Sequence, residues 1–117
     1  MNQLAKHFLL DLEGCDPVKL DDLDYLRGHL LEAARIGGAT IINSFFHRFS
    51  PQGVSGVVLI AESHLSLHTW PEENYAAIDL FSCGLFEFQK ACDYLVDILV
   101  ARSYNVKEIK RGKMEGG

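Results

Sequence analysis

Apolar residues recur along the chain with two periods, and the switches between them mark the elements. Residues 6–13, KHFLLDLE, are apolar enough for a strand, although their alternation is imperfect. GCDP then supplies a turn and a helix start, with Asp16 as N-cap and Pro17 at the first helical position. Leu20, Leu23, Leu26, Leu30 and Ala34 follow at steps of three or four, so one apolar stripe lies on a helix ending near Gly37-Gly38. The period then falls to two. In ATIINSFFHRF, Ile41, Asn43, Phe45, His47 and Phe49 alternate with Ile42, Ser44, Phe46 and Arg48; both sets are partly apolar, as in a strand contacted on both faces. Ser50 to Gly53 form a turn, and VSGVVLIA is a β-branched strand whose Gly56 implies close approach of another backbone or a ligand. Residues 64–69 and 75–82 read as two more strands around a turn at 71–74. A helix over about 86–102 buries Ala91, Leu95, Ile98 and Leu99, and a strand near 104–109 precedes a frayed GKMEGG.

The order β-α-β-β-β-β-α-β predicts an α+β fold: a two-layer α/β sandwich whose mostly antiparallel sheet carries two main helices on one face. The other face, with Phe45, His47 and Phe49, needs solvent, a ligand or a second copy of the chain, and a dimer is the economical answer. Residues 1–117 suffice for one domain.

A formal net charge of −5, with 11 basic and 16 acidic side chains, argues against nucleic acid as a partner. The one basic cluster, Lys107, Lys110, Arg111 and Lys113, reads as a solvated tail. No apolar run is long enough for a membrane span and none resembles a signal peptide, so the expected location is cytoplasmic, with no membrane partner. Three cysteines cannot all pair within one chain, and free thiols are the simpler account.

The chemistry concentrates in AESHLSLHTWPEENYAAIDLFSCG, residues 61–84. Taken alone, Ser63 in ESH is a hairpin turn residue, yet a hydroxyl at a strained turn with an imidazole within reach can attack a carbonyl. His64 and His68 share strand parity and so one sheet face, with Leu65 and Leu67 on the other. Cys83 follows a strand, where Gly84 permits a tight turn that leaves the thiol near the sheet edge; Cys92 reads as helix packing. His47, His64, His68 and Cys83 are soft ligands, but their spacing matches no zinc signature, and no metal is expected. Ser63, His68 and Asp79 contain the groups of a hydrolase triad, but AESHL lacks the small flanking residues of a nucleophile elbow.

Through KHFLLDLEGCD, SGVV, ESHLSLHTWPE and AAIDLFSCG, the chain resembles the prokaryotic-type S-adenosylmethionine decarboxylase proenzymes over nearly its whole length up to Gly84. The resemblance implies self-cleavage between Glu62 and Ser63, with Ser63 Oγ attacking the Glu62 carbonyl and residue 63 becoming a covalently bound pyruvoyl group. His68 is then the processing residue, assisted by Ser55. The pyruvoyl ketone would form a Schiff base with S-adenosylmethionine and act as electron sink for its decarboxylation, the product being the aminopropyl donor for spermidine. Cys83 matches the family's catalytic thiol, Phe49 and His68 are expected beside adenine, and Glu72 is a carboxylate on the ligand side. The expected assembly is a homodimer of processed protomers, each of two chains from one precursor, with active sites at the interface. The competing reading is a small-molecule-binding or regulatory α+β dimer without chemistry.

Overall fold

The computed structural model describes residues 4–112. Its elements are β1 (Ala5–Glu13), α1 (Pro17–Leu20), α2 (Leu23–Ile36), β2 (Ile41–Arg48), β3 (Val54–Ile60), β4 (Ser63–Trp70), a 3-10 turn (Pro71–Glu73), β5 (Tyr75–Ser82), α3 (Phe88–Ile98) and β6 (Ser103–Arg111). The six strands form one sheet in the order β2-β3-β4-β5-β1-β6, and every neighbouring pair is antiparallel. Alternation decides which residues enter the core. Phe8, Leu10 and Leu12 of β1, Val58 and Ile60 of β3, Leu65 and Leu67 of β4, and Ile78 and Leu80 of β5 are buried with Leu26 and Leu30 of α2 and Phe88 and Leu95 of α3. The helical layer therefore covers one sheet face.

Asp16 is an N-cap, accepting from Val18 N at 2.9 Å, and Pro17 stands at the helix start. The helix expected over residues 17–37 is nevertheless two helices. Aspartate competes with the helical backbone for its own hydrogen bonds. Asp22 accepts from Tyr25 N at 3.0 Å and restarts the chain as α2, while Asp21 takes Arg48 Nη2 at 2.6 Å and Gly53 N at 2.8 Å. Those contacts tie the helix break to the β2–β3 turn, and Arg48 holds the Asp21 carboxyl below its usual range.

The last helix is shorter than expected. Val100, at φ 55°, leaves the helical region just after the cap residue Leu99, whereas Phe86 lies before α3 and fills a notch at Gly37. A Cβ on Gly37 would come within 2.0 Å of that ring. Leu99 is buried and Ile98 only partly so; the Ile98 carbonyl accepts from Tyr25 Oη at 2.6 Å.

Strand β2 departs further from simple alternation. A bulge between Ile41 and Asn43 inserts Ile42 as an extra residue, so Ile41 faces the core before it, and Ser44 and Phe46 face inward after it. Phe45 and His47 then point away from the helices. Gly56 does admit a close neighbour, but the neighbour is the cross-strand Phe46 ring, 2.0 Å from where a Cβ would stand. Gly56→Ala must push that ring off its seat. We expect a loss of about 1–2 kcal/mol in thermal unfolding, and almost no further loss when Phe46→Ala is already present.

Strand β6 runs beyond 104–109 and pairs with β1, so Lys107, Lys110 and Arg111 belong to a sheet edge rather than a tail; Lys113 and the last residues lie outside the described residues. No helix among the described residues is long and apolar enough to cross a membrane.

Candidate active site on the open sheet face

The sheet face away from the helices carries Phe45, Val57, Leu59 and Trp70 at 39–69 % exposure, with Phe49 just past the end of β2 at 46 %. Large apolar side chains exposed on one sheet face are the usual mark of an interaction or ligand-binding surface. The residues that the resemblance singles out lie on this face or at its ends, in two groups.

The first group is at the β3–β4 turn. Ile60 pairs with Ser63, leaving Ala61-Glu62 as a two-residue loop in which Glu62 has φ 74°. The Ser63 hydroxyl donates to the Glu62 carbonyl oxygen, which brings the nucleophile to the peptide bond it would attack. His64 pairs with Phe81, so Cys83, two residues past Phe81, lies across from the Glu62–Ser63 turn. Because β5 is flanked by β4 and β1, the thiol is at the end of an interior strand, not at the sheet edge. Cys83 is half-buried, whereas Cys15 and Cys92 are buried, and burial pushes both of those thiols up to about 11.

The second group is at the other end of the same hairpin. Ser55 pairs with His68, and Ser55 Oγ is hydrogen-bonded to His68 Nδ1 at 2.7 Å. Two adjoining hollows open here. One, of about 410 Å³, is lined by Phe45, His47, Phe49, Ser55 and His68 among others. The other, of about 340 Å³, adds Trp70 and Glu72. His47 stands edge-on to Phe49, with ring centroids 4.6 Å apart.

One chain does not bring the two groups together. Ser63 and His68 are five residues apart on one extended strand, roughly 17 Å at about 3.4 Å per residue, so His68 is not the imidazole within reach of Ser63 in its own chain. His64 shares the open face with His68, as parity required, and its ring packs on Phe81. Asp79 belongs to neither group: it accepts from Ser66 Oγ at 3.2 Å and pairs with His7 Nε2 at 3.2 Å. Nothing in the sequence signals that His7–Asp79 pair, whose partners stand 72 positions apart. Among the described residues, no three or more His, Cys, Asp or Glu side chains gather as metal ligands.

An antiparallel sheet with helices on one face and the other left open defines the class: a two-layer α+β sandwich. The S-adenosylmethionine decarboxylase family model matches residues 6–112, and the chain belongs to that family. It is 47 % identical over 113 residues to the S-adenosylmethionine decarboxylase proenzyme of Thermococcus onnurineus, covering 96 % of this chain and 80 % of that protein. The proenzyme of Clostridium tetani is 46 % identical over 116 residues, 98 % of this chain and 92 % of its own. The crystal structure of the adenosylmethionine decarboxylase from Aquifex aeolicus superposes with a TM-score of 0.90 at 35 % identity, covering all of this chain and 98 % of the other.

Proposed function

We propose that the chain cuts itself between Glu62 and Ser63, and that its active sites form where the open faces of two copies meet. The activity is that of the family, pyruvoyl-dependent decarboxylation of S-adenosylmethionine to the aminopropyl donor used for spermidine. The observation that carries the proposed cleavage is the Ser63 hydroxyl on the Glu62 carbonyl.

The residues present fit a cofactor made from the chain. Ser63 Oγ bonds to the Glu62 carbonyl carbon, the Glu62–Ser63 C–N bond breaks, and the hydroxyl proton passes to the freed nitrogen, leaving an ester. Removal of the Ser63 α-proton then breaks the Cβ–Oγ bond, and Glu62 leaves as a new C-terminal carboxylate. Water replaces the nitrogen, released as ammonia, and residue 63 is left as a pyruvoyl group. Serine is needed because it has both a hydroxyl nucleophile and a removable α-proton. When formed, the group supplies an electron sink for loss of the substrate carboxylate.

The Ser55–His68 pair moves protons during processing. At about 17 Å along the strand it cannot serve Ser63 of its own chain, so a twofold pairing of open faces sets Ser55 and His68 of one copy over Ser63 and Cys83 of the other. The exposed Phe45, Val57 and Leu59 are covered in the same step. Phe49 and the His68 ring offer flat faces to adenine, and aromatic faces attract the sulfonium charge; Glu72, on the rim of the same hollow, adds a carboxylate. Cys83 Sγ delivers a proton to the substrate α-carbon after CO2 leaves. Cys83→Ala should therefore still be cut, yet release of labelled CO2 from carboxyl-labelled S-adenosylmethionine should fall by about 10²–10⁴-fold. Unchanged turnover would remove Cys83 from the chemistry.

A further inference from the structure

The sole left-handed residue in the β3–β4 turn is the one whose carbonyl is to be attacked. Two-residue hairpin loops place positive φ at their first central residue or at both, because those turns match the twist of the strands. Here Ala61 is not left-handed and Glu62 is, at φ 74°. Positive φ at the second position alone is the type II pattern, where glycine is the usual occupant. Glutamate has a Cβ that crowds its own backbone there.

The neighbours hold this conformation in place. Ala61 N donates to Thr40 O at 2.9 Å, fastening the loop to the residue that leads into β2. On either side, Ile60 and Ser63 are paired in the β3–β4 ladder. Two other described non-glycine residues have positive φ, Asn74 and Val100, each just past a helical turn. Only Glu62 contributes the carbonyl of the bond to be cut.

We propose that the left-handed backbone at Glu62 is a spring that drives self-cleavage, an inference resting on the processing reading above. The acyl shift is the step that lets it go. Before the shift, Glu62 C reaches Ser63 Cα through two bonds, by way of nitrogen. Afterwards the path runs through Oγ and Cβ, three bonds, and the former amide nitrogen no longer restrains it. The added bond gives Glu62 the slack to return to an ordinary negative φ while Ser63 stays in the ladder. Strain present in the amide and relieved toward the ester lowers the barrier between them.

The test compares Glu62→Gly, Glu62→Ala and Glu62→Asn in the full chain, following loss of the uncut species by denaturing mass spectrometry after rapid synthesis. Glycine removes the crowding and should slow cleavage about tenfold, equivalent to about 1.4 kcal/mol. Alanine keeps the Cβ and with it the crowding, so it should cleave clearly faster than glycine, with asparagine, which tolerates this region, between them. On an uncleavable Ser63→Ala background, Glu62→Gly should leave the unfolding temperature unchanged or raise it. The inference is overturned if glycine cleaves as fast as glutamate, if alanine is as slow as glycine, or if glycine lowers the unfolding temperature of the uncut chain. Failure of the wild type itself to cleave would instead sink the processing reading.

Discussion

Ser63→Ala should leave a single chain of 117 residues that never divides and never decarboxylates S-adenosylmethionine. Alanine supplies neither the nucleophile for the acyl shift nor the leaving oxygen for elimination, so the loss is of the cofactor itself and no residual turnover is expected. Stability should change little. Ser63 is half-buried at the start of β4, its hydroxyl bonds to the residue before it, and its backbone pairing with Ile60 does not depend on the side chain. Circular dichroism and thermal unfolding close to wild type, together with an intact mass and no CO2 release, are the predicted set. Cleavage of the alanine chain at the same bond would mean that something other than Ser63 cuts it.

Mixing two defective chains should restore what neither has alone. If Ser63 and Cys83 of one copy work with Ser55 and His68 of the other, a Ser63→Ala homodimer and a His68→Ala homodimer both fail. In the mixed dimer one site carries both lesions, while the other combines the intact Ser63 of the His68→Ala chain with the intact His68 of the Ser63→Ala chain. Coexpressed with separable tags, the mixed species should be cut in the His68→Ala chain only and should show about half the wild-type turnover per dimer. A site complete within one chain would show no rescue. The geometry favours rescue, because Ser63 and His68 share a strand whose spacing separates them by roughly 17 Å.

That separation is legible in the sequence itself. Once residues 64–69 are taken as a strand, five positions of extended chain already put His68 far from Ser63; crowding along the sequence is not crowding in space. Parity carries correctly to His64, His68, Leu65 and Leu67, because alternation in β4 has no interruption. The N-cap and proline at residues 16 and 17 are legible for the same local reason: each acts on the backbone beside it. Strand β2 is harder. Its bulge inserts Ile42 with no glycine or proline to announce it, and one extra residue reverses the face of everything beyond. The break at Asp21 and Asp22 hides in a good apolar stripe: Asp22 caps Tyr25 N three residues on, a local signal that the stripe outweighs, while Asp21 finds Arg48 and Gly53 only once the chain has folded. Gly56 announces a close approach, but nothing in the sequence names Phe46 as the neighbour.

The most direct test of the account is a denaturing intact-mass spectrum of freshly purified wild-type protein, followed by N-terminal amine labelling. Self-cleavage predicts two species, residues 1–62 and residues 63–117, with the second unreactive toward amine reagents and its mass shifted from serine to pyruvoyl. A single uncut chain after prolonged incubation, or a second fragment that keeps a free serine amine, would contradict it.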